Sequence, residues 1–274
     1  MYGIPRGANT LVLYYNADMF KAHGLNPNKP PKTWKALYQD ARKLTDPKKN
    51  VYGLTFCAKA NGEGTFQFLP WVQMTGGNWN RIDTPGAARA LNLWKKFIDQ
   101  KIASPDTLVH SQWESTATFV AGNAAMAISG PWELPRMQKN AHFDFRAAML
   151  PIPAKNGQHA SALGGGDNVI LANTKHPEAA FKFLEFAYKQ MPTVWNRFGY
   201  LPASRVAVKN PKWPKSFRVF KKSMKYARVR GPSPEWSRIS QAIYSAVQQT
   251  LTHQKSAKAA LAAAQKRIDS VTGK

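Results

Sequence analysis

Acidic residues are scarce in this chain. There are 15 Asp and Glu against 39 Lys and Arg, which gives a formal net charge of +24 over 274 residues. A basic balance of this size raises the hypothesis of a nucleic-acid-binding protein. The basic residues are scattered singly or in pairs, such as Lys48-Lys49 and Lys95-Lys96, and no basic tract of five or more appears. The distribution favours a solubilising basic surface, and the sequence predicts no nucleic-acid partner.

Cysteine occurs once, at Cys57, so no internal disulfide can form. Because it lies in the strand-like run VYGLTFC, we interpret it as a small core residue rather than a nucleophile. No apolar run reaches the roughly 18 residues that span a bilayer. The first residues, MYGIPRG, lack the basic end and apolar run of a signal peptide. The sequence therefore indicates either a cytoplasmic protein or a natural start that lies elsewhere.

Signals of catalysis are also missing. The six histidines are dispersed without metal-ligand spacing, and neither a GxSxG elbow nor a Walker loop occurs. Gly164-Gly165-Gly166 lacks the following lysine of a phosphate-binding loop. Glu133 and Asp167 are a candidate carboxylate pair, which we interpret as binding or surface residues. The sequence predicts no cofactor, no metal site and no enzymatic activity.

Alternating strand-like and helix-like segments predict an α/β protein. The predicted strands are LVLYY, VYGLTFC, AAMAIS and NVILA. The first predicted helix is ADMFKAHG, which Gly24 closes. The next helices are predicted to start after Thr33, after Thr84, near Trp113 (ending at Gly122) and at Pro177. Two terminal helices follow, and Ser256 caps the last of them. The Pro- and Gly-rich segment MLPIPAKNGQHASALGGGDN is predicted to cross between two lobes.

Aromatic residues are plentiful, and several tryptophans stand beside turns rather than in periodic stripes. These are Trp71, Trp79, Trp132, Trp195, Trp213 and Trp236. A tryptophan after Gly-Pro or at a helix start is well placed to face a cleft. Flat aromatic faces suit the C–H faces of a sugar ring, and polar neighbours can then bind its hydroxyls.

Six segments, in order along the chain, resemble the sugar-binding proteins of bacterial ABC importers, of the maltose-binding-protein-like family. They are YGIPRGANTLVLYYNADMF, PPKTW, FVAGNAAMAISGPWE, LGGGDNVILANTKHPEAAFKFLEF, GYLPASR and the terminal PEWSRISQAIYSAVQQTLTHQKSAKAALAAAQKRI. The resemblance implies a two-lobe periplasmic binding protein fold with a hinge and an incomplete first lobe. Relatives carry a signal peptide and more of the first lobe before the YGIPRG-like segment.

The resemblance also implies a division of the chain. Residues 1–6 are expected to be a hinge crossing strand and 149–159 the hinge return, with Ile4–Pro5 and Leu150–Pro153 as the connecting strands. Residues 7–148 are assigned to the second (C-terminal) lobe, 160–203 to the returning part of the first (N-terminal) lobe, and 204–274 to second-lobe terminal helices. Without its sheet partners, the returning segment is expected to leave its apolar residues partly exposed; these are Val169, Ile170, Leu171, Phe183 and Phe186.

Ligand contacts follow from the resemblance position by position. Trp132 and Trp236 match sugar-stacking tryptophans, and Phe66 matches an aromatic contact. Gly64 stands where relatives carry an acid, so that contact is either lost or supplied by Glu63, and Ser240 stands where they carry an arginine. The full predicted set of ligand-binding residues is Trp132, Trp236, Phe66, Gly164, Gly165, Gly166, Asp167, Asn168, Trp71, Tyr200 and Arg238.

The leading hypothesis is a periplasmic, monomeric binding subunit that delivers a disaccharide or short α-glucoside to the permease of an ABC importer. The rival within the family is a subunit for glycerol-3-phosphate or a phosphodiester, since Arg238 and the Gly-rich segment suit an anion. A glycan-active enzyme would need two carboxylates about 5 to 9.5 Å apart. A nucleic-acid binder would lose affinity steeply with salt. A truncated fragment that does not bind alone is the remaining alternative.

Overall fold

The structure is a computed structural model that describes residues 3–191, 199–201, 203 and 217–274. The helices are α1 (Ala17–Ala22), α2 (Trp34–Leu44), α3 (Gly62–Gln73), α4 (Pro85–Asp99), α5 (Gln112–Val120), α6 (Leu134–Asn140), α7 (Pro177–Lys189), α8 (Phe217–Met224), α9 (Trp236–Leu251) and α10 (Ala257–Thr272). The strands are β1 (Ile4–Asn9), β2 (Val12–Asn16), β3 (Met126–Ser129), β4 (Phe145–Ala148), β5 (Ser161–Ala162), β6 (Gly164–Asn168) and β7 (Ala227–Arg228). Trp195, Trp213 and parts of the GYLPASR segment lie outside the described residues.

A three-stranded antiparallel sheet of order β3-β2-β4 forms the centre of the molecule. Successive side chains of a strand point to opposite faces of a sheet. Accordingly, Leu11, Leu13 and Tyr15 belong to a large core cluster together with α3, α4, α9 and α10. Val12 and Tyr14 belong to a second, smaller cluster on the other face, closed by residues such as Phe119 and Phe220. Both faces of β2 are therefore buried, as its near-continuous apolar run predicts.

Side-chain caps fix the helix starts that the sequence predicts. Thr33 Oγ1 accepts from the Ala36 N–H at 3.2 Å, Thr84 Oγ1 from Ala87 at 3.1 Å, and Ser256 Oγ from Ala259 at 3.2 Å. In the terminal helices the predicted apolar stripes are buried; they are Ile239, Ala242, Ile243, Ala246 and Val247 on α9, and Ala257, Ala260, Leu261, Ala264 and Ile268 on α10.

Two predicted strands are wrong. VYGLTFC makes only isolated bridges: an antiparallel one between Val51 and Asp46, and parallel ones between Tyr52 and Ala124 and between Thr55 and Ala127. A Cβ on Gly53 would lie 1.8 Å from the Ala41 carbonyl oxygen, so the close approach of α2 bends the chain there. Cys57 in this segment is fully buried, and burial raises the pKa of its thiol to about 12, which fits an inert core residue.

The other wrong strand is NVILA. Its Gly-rich neighbour, predicted above as part of the segment that crosses between lobes, forms the strand instead. Strand β6 pairs antiparallel with β1, in a register that places Ala8 opposite Gly165. A Cβ on Gly165 would lie 2.4 Å from the Gly7 carbonyl oxygen, so the close pairing requires a glycine. The pattern of apolar side chains gives no sign of this pairing, because the backbones carry it.

The segment after β6 leaves many apolar side chains exposed. Val169 is 56% exposed, Leu171 68%, Phe183 66% and Phe186 60%, so the predicted exposure of these four residues is confirmed. On α7 only Leu184 is buried. The division into lobes stays a prediction. Ile152 forms a parallel bridge with Thr33.

No helix in the described part of the chain is both long and apolar enough to span a bilayer.

Candidate functional site

A cavity of about 370 Å³ lies where the β1–β6 pair meets the ends of several helices. Its volume is at the lower end of the roughly 300–1,000 Å³ that ligand pockets occupy. The described residues that line it are Asn9, Gly62, Glu63, Phe66, Gln112, Trp113, Trp132, Glu133, Gly164, Gly165, Tyr200 and Arg230.

The first turn of α3 brings Glu63 and Phe66 to the cavity. Asn61 caps this helix, because its Oδ1 accepts from the Glu63 N–H at 2.9 Å and from the Gly64 N–H at 3.4 Å. A Cβ on Gly64 would lie 2.3 Å from the Lys59 carbonyl oxygen, so the entering chain needs a glycine here. Glu63 Oε2 accepts from the Gln112 N–H at 2.8 Å and so joins α3 to the start of α5.

A 3-10 turn at Pro131–Glu133 presents Trp132 and Glu133. Gly130 leads into it: its carbonyl oxygen accepts from the Tyr14 hydroxyl at 2.8 Å, and a Cβ there would lie 1.9 Å from the Trp132 ring. Gly199 packs against the same turn, with φ of +71° and a Cβ position 2.0 Å from the Pro131 carbonyl oxygen. These two glycines let the turn and Tyr200 reach the cavity together.

Four of the described cavity residues are aromatic, namely Phe66, Trp113, Trp132 and Tyr200. The ring centroids of Phe66 and Trp132 are 6.2 Å apart, with their planes tilted by 54°. The Arg230 guanidinium lies 4.7 Å from the Phe66 centroid, and burial lowers the pKa of Arg230. Trp113, which is 56% exposed, carries the Arg136 guanidinium 3.7 Å from its ring centroid.

Glu133 is the most unusual polar group of the cavity. It is fully buried, and its Oε2 accepts from Arg136 Nε at 2.8 Å, while its Oε1 has no hydrogen-bond partner in the described structure. Burial raises the pKa of Glu133 to about 7, against the opposing effect of Arg136. Asn9 Oδ1 is a second buried acceptor without a described partner. Buried acceptors left unpaired are costly, so a ligand that donates hydrogen bonds would gain from both.

The structure brings five of the predicted site residues to the cavity, namely Phe66, Trp132, Tyr200, Gly164 and Gly165. Gly166, Asp167 and Asn168 continue β6 but do not line the cavity; Asp167 is exposed and Asn168 lines a different one. Whether any of them binds a ligand stays a prediction.

Three other predicted site residues do not reach the cavity. Trp71 is fully buried between Trp34 and Trp94, with ring centroids 5.2 and 5.8 Å away, because α3 is enclosed by core beyond its first turns. The expectation that Trp71 faces the cleft is therefore wrong. Trp236 packs partly buried against the large core cluster at the start of α9. Arg238 has a side chain that is 64% exposed and pairs with Glu235 at 3.1 Å.

Five cavity residues escaped the sequence analysis: Asn9, Gly62, Gln112, Trp113 and Arg230. They come from segments far apart in the chain, and no local motif marks them. Ser240, at the position of the relatives' arginine, is buried and bonds to Thr65 at 2.9 Å, so it joins α9 to α3 instead of facing a ligand.

Comparison with known proteins identifies the class. The model of the bacterial extracellular solute-binding protein family matches residues 1–221, and the chain belongs to that family. An ABC transporter solute-binding protein of Thermotoga lettingae, solved with alpha-D-tagatose, superposes with a TM-score of 0.91 at 26% identity, over 98% of this chain and 72% of that one. The predicted fold, that of the two-lobe periplasmic binding proteins, is confirmed.

Two curated relatives show the same class. A putative binding protein of Brucella abortus is 25% identical over 257 residues, which cover 90% of this chain and 62% of the relative. The sn-glycerol-3-phosphate-binding periplasmic protein of Yersinia enterocolitica is 30% identical over 220 residues, or 74% of this chain and 49% of the relative. The matched part of the chain thus spans 62% of the first relative and about half of the second.

Proposed function

We propose that this protein is the substrate-binding subunit of an ABC importer and that it binds a neutral carbohydrate, of disaccharide or short α-glucoside size, in the cavity described above. One observation carries the proposal: aromatic rings of Phe66, Trp132 and Trp113 line the same cavity as the unpartnered acceptors Asn9 Oδ1 and Glu133 Oε1. Rings stack on the apolar faces of a sugar, and acceptors take its hydroxyl protons.

The proposed role is binding without covalent chemistry. The two cavity carboxylates already have structural tasks, since Glu63 accepts from the α5 backbone and Glu133 pairs with Arg136. Ligand would bind between two lobes, and closure about the β1–β6 pair would present the complex to the permease. We further propose a monomer that acts in the periplasm, with no nucleic-acid partner.

A phosphate-bearing ligand is the second candidate, and Arg230 favours it. This guanidinium lines the cavity, whereas Arg238, the arginine predicted for that role, does not. Against it stands the Glu63 carboxylate, which would repel a phosphate, whereas Glu133 is already paired with Arg136. The neutral sugar is therefore the better fit.

Thermal melts with maltose, trehalose, sucrose and glycerol-3-phosphate test the proposal. Ligand at 100 times its dissociation constant adds about 2.7 kcal/mol to the free energy of unfolding. We expect one disaccharide to raise the Tm, Trp132→Ala to abolish the shift, and Phe181→Ala, on an exposed ring outside the cavity, to leave it unchanged. The recovered sugar should be chemically intact.

Other outcomes decide against the sugar. The ligand would be an anion if glycerol-3-phosphate alone raised the Tm, and if this rise were lost in Arg230→Ala and weakened by salt. A sugar-induced shift that survives in Trp132→Ala would place the binding site elsewhere. Cleavage of the added sugar would contradict a pure binding role.

A further inference from the structure

A second cavity, of about 380 Å³, lies on another part of the molecule and shares no lining residue with the first. Three segments enclose it: the proline-rich connector before α2, the chain from Ala148 to His159, and α8. Its described lining residues are Pro30, Pro31, Lys32, Thr33, Ala148, Met149, Leu150, Ile152, Lys155, His159 and Lys222.

Backbone hydrogen bonds hold the first two walls together. The Ile152 N–H donates to the Lys32 carbonyl oxygen at 3.0 Å, and the Trp34 N–H donates to the Ile152 carbonyl oxygen at 2.9 Å. The buried Leu150 and Ile152 supply apolar surface next to the rigid Pro30-Pro31 pair. The apolar side of the cavity is thus built by ordered chain.

The third wall is anchored as well. Ser223 on α8 is buried, and its hydroxyl donates to the Leu11 carbonyl oxygen at 3.1 Å, which fixes the position of the neighbouring Lys222. The Ser161 N–H donates to the Tyr226 carbonyl oxygen at 3.0 Å, and the His159 and Tyr226 ring centroids are 4.8 Å apart. His159 is therefore held beside α8.

The charge of this cavity has one sign. Lys32, Lys155 and Lys222 come from three separate segments, and no Asp or Glu appears among the described residues that line it. Within the described structure no ion pair joins any of these lysines to an acid. Burial and the charge of Lys222 both lower the pKa of His159, as expected in a positive local potential.

We propose that this cavity binds a small organic anion, a phosphate monoester with a short apolar group, through Lys32, Lys155, Lys222 and His159. Lysines act as point charges on phosphate oxygens, and an imidazole N–H adds a directed hydrogen bond. The apolar side, formed by Pro30, Leu150 and Ile152, receives the organic group. The site is independent of the sugar cavity and of the proposed transport function.

His159 supplies a local readout. An anion beside it favours the charged imidazolium, so phosphate should raise its pKa. We would titrate the histidines of the full chain by NMR at constant ionic strength in chloride, inorganic phosphate and phenyl phosphate, with His159→Gln for assignment. Phenyl phosphate should bind several-fold more tightly than inorganic phosphate because its ring covers the apolar wall.

A matched pair of double variants tests the location. Lys32→Glu with Lys222→Glu should weaken phenyl phosphate at least tenfold. Lys258→Glu with Lys266→Glu changes the net charge equally at exposed positions of α10, outside both cavities, and should change the affinity less than twofold. Circular dichroism and Tm verify that both variants fold.

Three outcomes would overturn the proposal. One is a His159 pKa that does not respond to either phosphate at tens of millimolar. Another is an equal loss of affinity in both double variants, which would mean that only the overall charge attracts the anion. The last is binding of the protein to phosphatidylglycerol vesicles that Lys32→Glu with Lys222→Glu abolishes, while the pKa of His159 does not respond to free phosphates. A membrane surface would then be the ligand.

Discussion

Glu133 links the stability of the folded chain to pH. Its pKa is about 7 in the folded protein and about 4.3 in an unfolded chain. Between these values the folded state binds the proton more tightly, so the free energy of unfolding should fall as pH rises from about 4 to 7. Since one pKa unit corresponds to about 1.4 kcal/mol, the loss from this group is on the order of 4 kcal/mol.

Urea unfolding at pH 5 and pH 8 checks this prediction. Glu133→Gln removes the titrating group, so its free energy of unfolding should fall less between the two pH values than that of the original protein. Glu178→Gln, at an exposed position on α7, is the matched control and should leave the pH dependence unchanged. Equal pH dependence in all three proteins would mean that Glu133 does not titrate near pH 7.

Arg136 organises the wall that Glu133 and Trp113 form. Its side chain is 12% exposed, bonds to Glu133, donates from Nη2 to the Trp113 carbonyl oxygen at 2.9 Å and covers the Trp113 ring. Arg136→Gln should raise the pKa of Glu133 above about 7 and lower the free energy of unfolding by roughly 3 kcal/mol, because the buried carboxylate loses its counter-charge.

Carboxyl ¹³C NMR, assigned with Glu133→Gln, measures that pKa directly. Arg136→Lys keeps the charge but not the planar group that contacts both Glu133 and Trp113. The pKa of Glu133 in Arg136→Lys should therefore lie between its values in the original protein and in Arg136→Gln. A Glu133 pKa that is the same in Arg136→Gln as in the original protein would show that burial alone sets it.

At the scale of elements, Gly199 determines how Tyr200 meets the Gly-Pro-Trp turn. Its φ of +71° lies in the left-handed region, and a Cβ would strike the Pro131 carbonyl oxygen. Gly199→Ala should therefore lower the Tm, with a cost of at least about 1–2 kcal/mol from the backbone conformation. Gly62→Ala is the control, since a Cβ there meets nothing within 4 Å and should be neutral or stabilising. A Tm unchanged by Gly199→Ala would contradict the close packing.

Helix α7 carries an apolar surface that should drive nonspecific association of this proposed monomer at high protein concentration. Phe183 and Phe186 are 66% and 60% exposed, so Phe183→Ser with Phe186→Ser should reduce concentration-dependent association without lowering the Tm. Leu184→Ser removes the one buried side chain of the helix and should lower the Tm instead. Light scattering and melts separate the two effects, and equal association before and after the double change would refute the role of this surface.

Elements with local chemical signals were predictable. Thr33, Thr84 and Ser256 cap the helices that follow them through their own hydroxyls. The helical spacing of apolar residues on α9 and α10 correctly predicted which side chains are buried. Pairings between segments distant in sequence could not be predicted. Strand β6 forms because Gly165 has no side chain to block the β1 backbone, and Arg230 contacts Phe66 although they lie 164 positions apart in the chain. Phe66 was found only through resemblance, whereas the Gly-Pro before Trp132 already marked that tryptophan as a cleft candidate. Trp71 was wrongly placed in the cleft, because a tryptophan near a turn has the same sequence context in a core as in a cleft.

At the scale of the whole molecule, charge is the dominant feature. With 39 basic and 15 acidic residues, most cations have no acid to pair with. The ion pairs that do form are largely on the surface, as for Lys189 with Glu185, whose side chains are 68% and 54% exposed. Like charges on a compact surface repel, and this repulsion destabilises the folded state more than the expanded one.

Salt should therefore stabilise this protein. The Debye length falls from about 30 Å at 0.01 M salt to about 3 Å at 1 M, so raising NaCl across that range should raise the Tm. Lys258→Glu with Lys266→Glu lowers the net charge by four and should show a smaller salt-dependent rise. The affinity for a neutral sugar should stay constant over the same range of salt, because a neutral ligand releases no counterion when it binds in the sugar cavity. If affinity instead fell steeply with salt while the Tm rose, the ligand would be an anion held by Arg230.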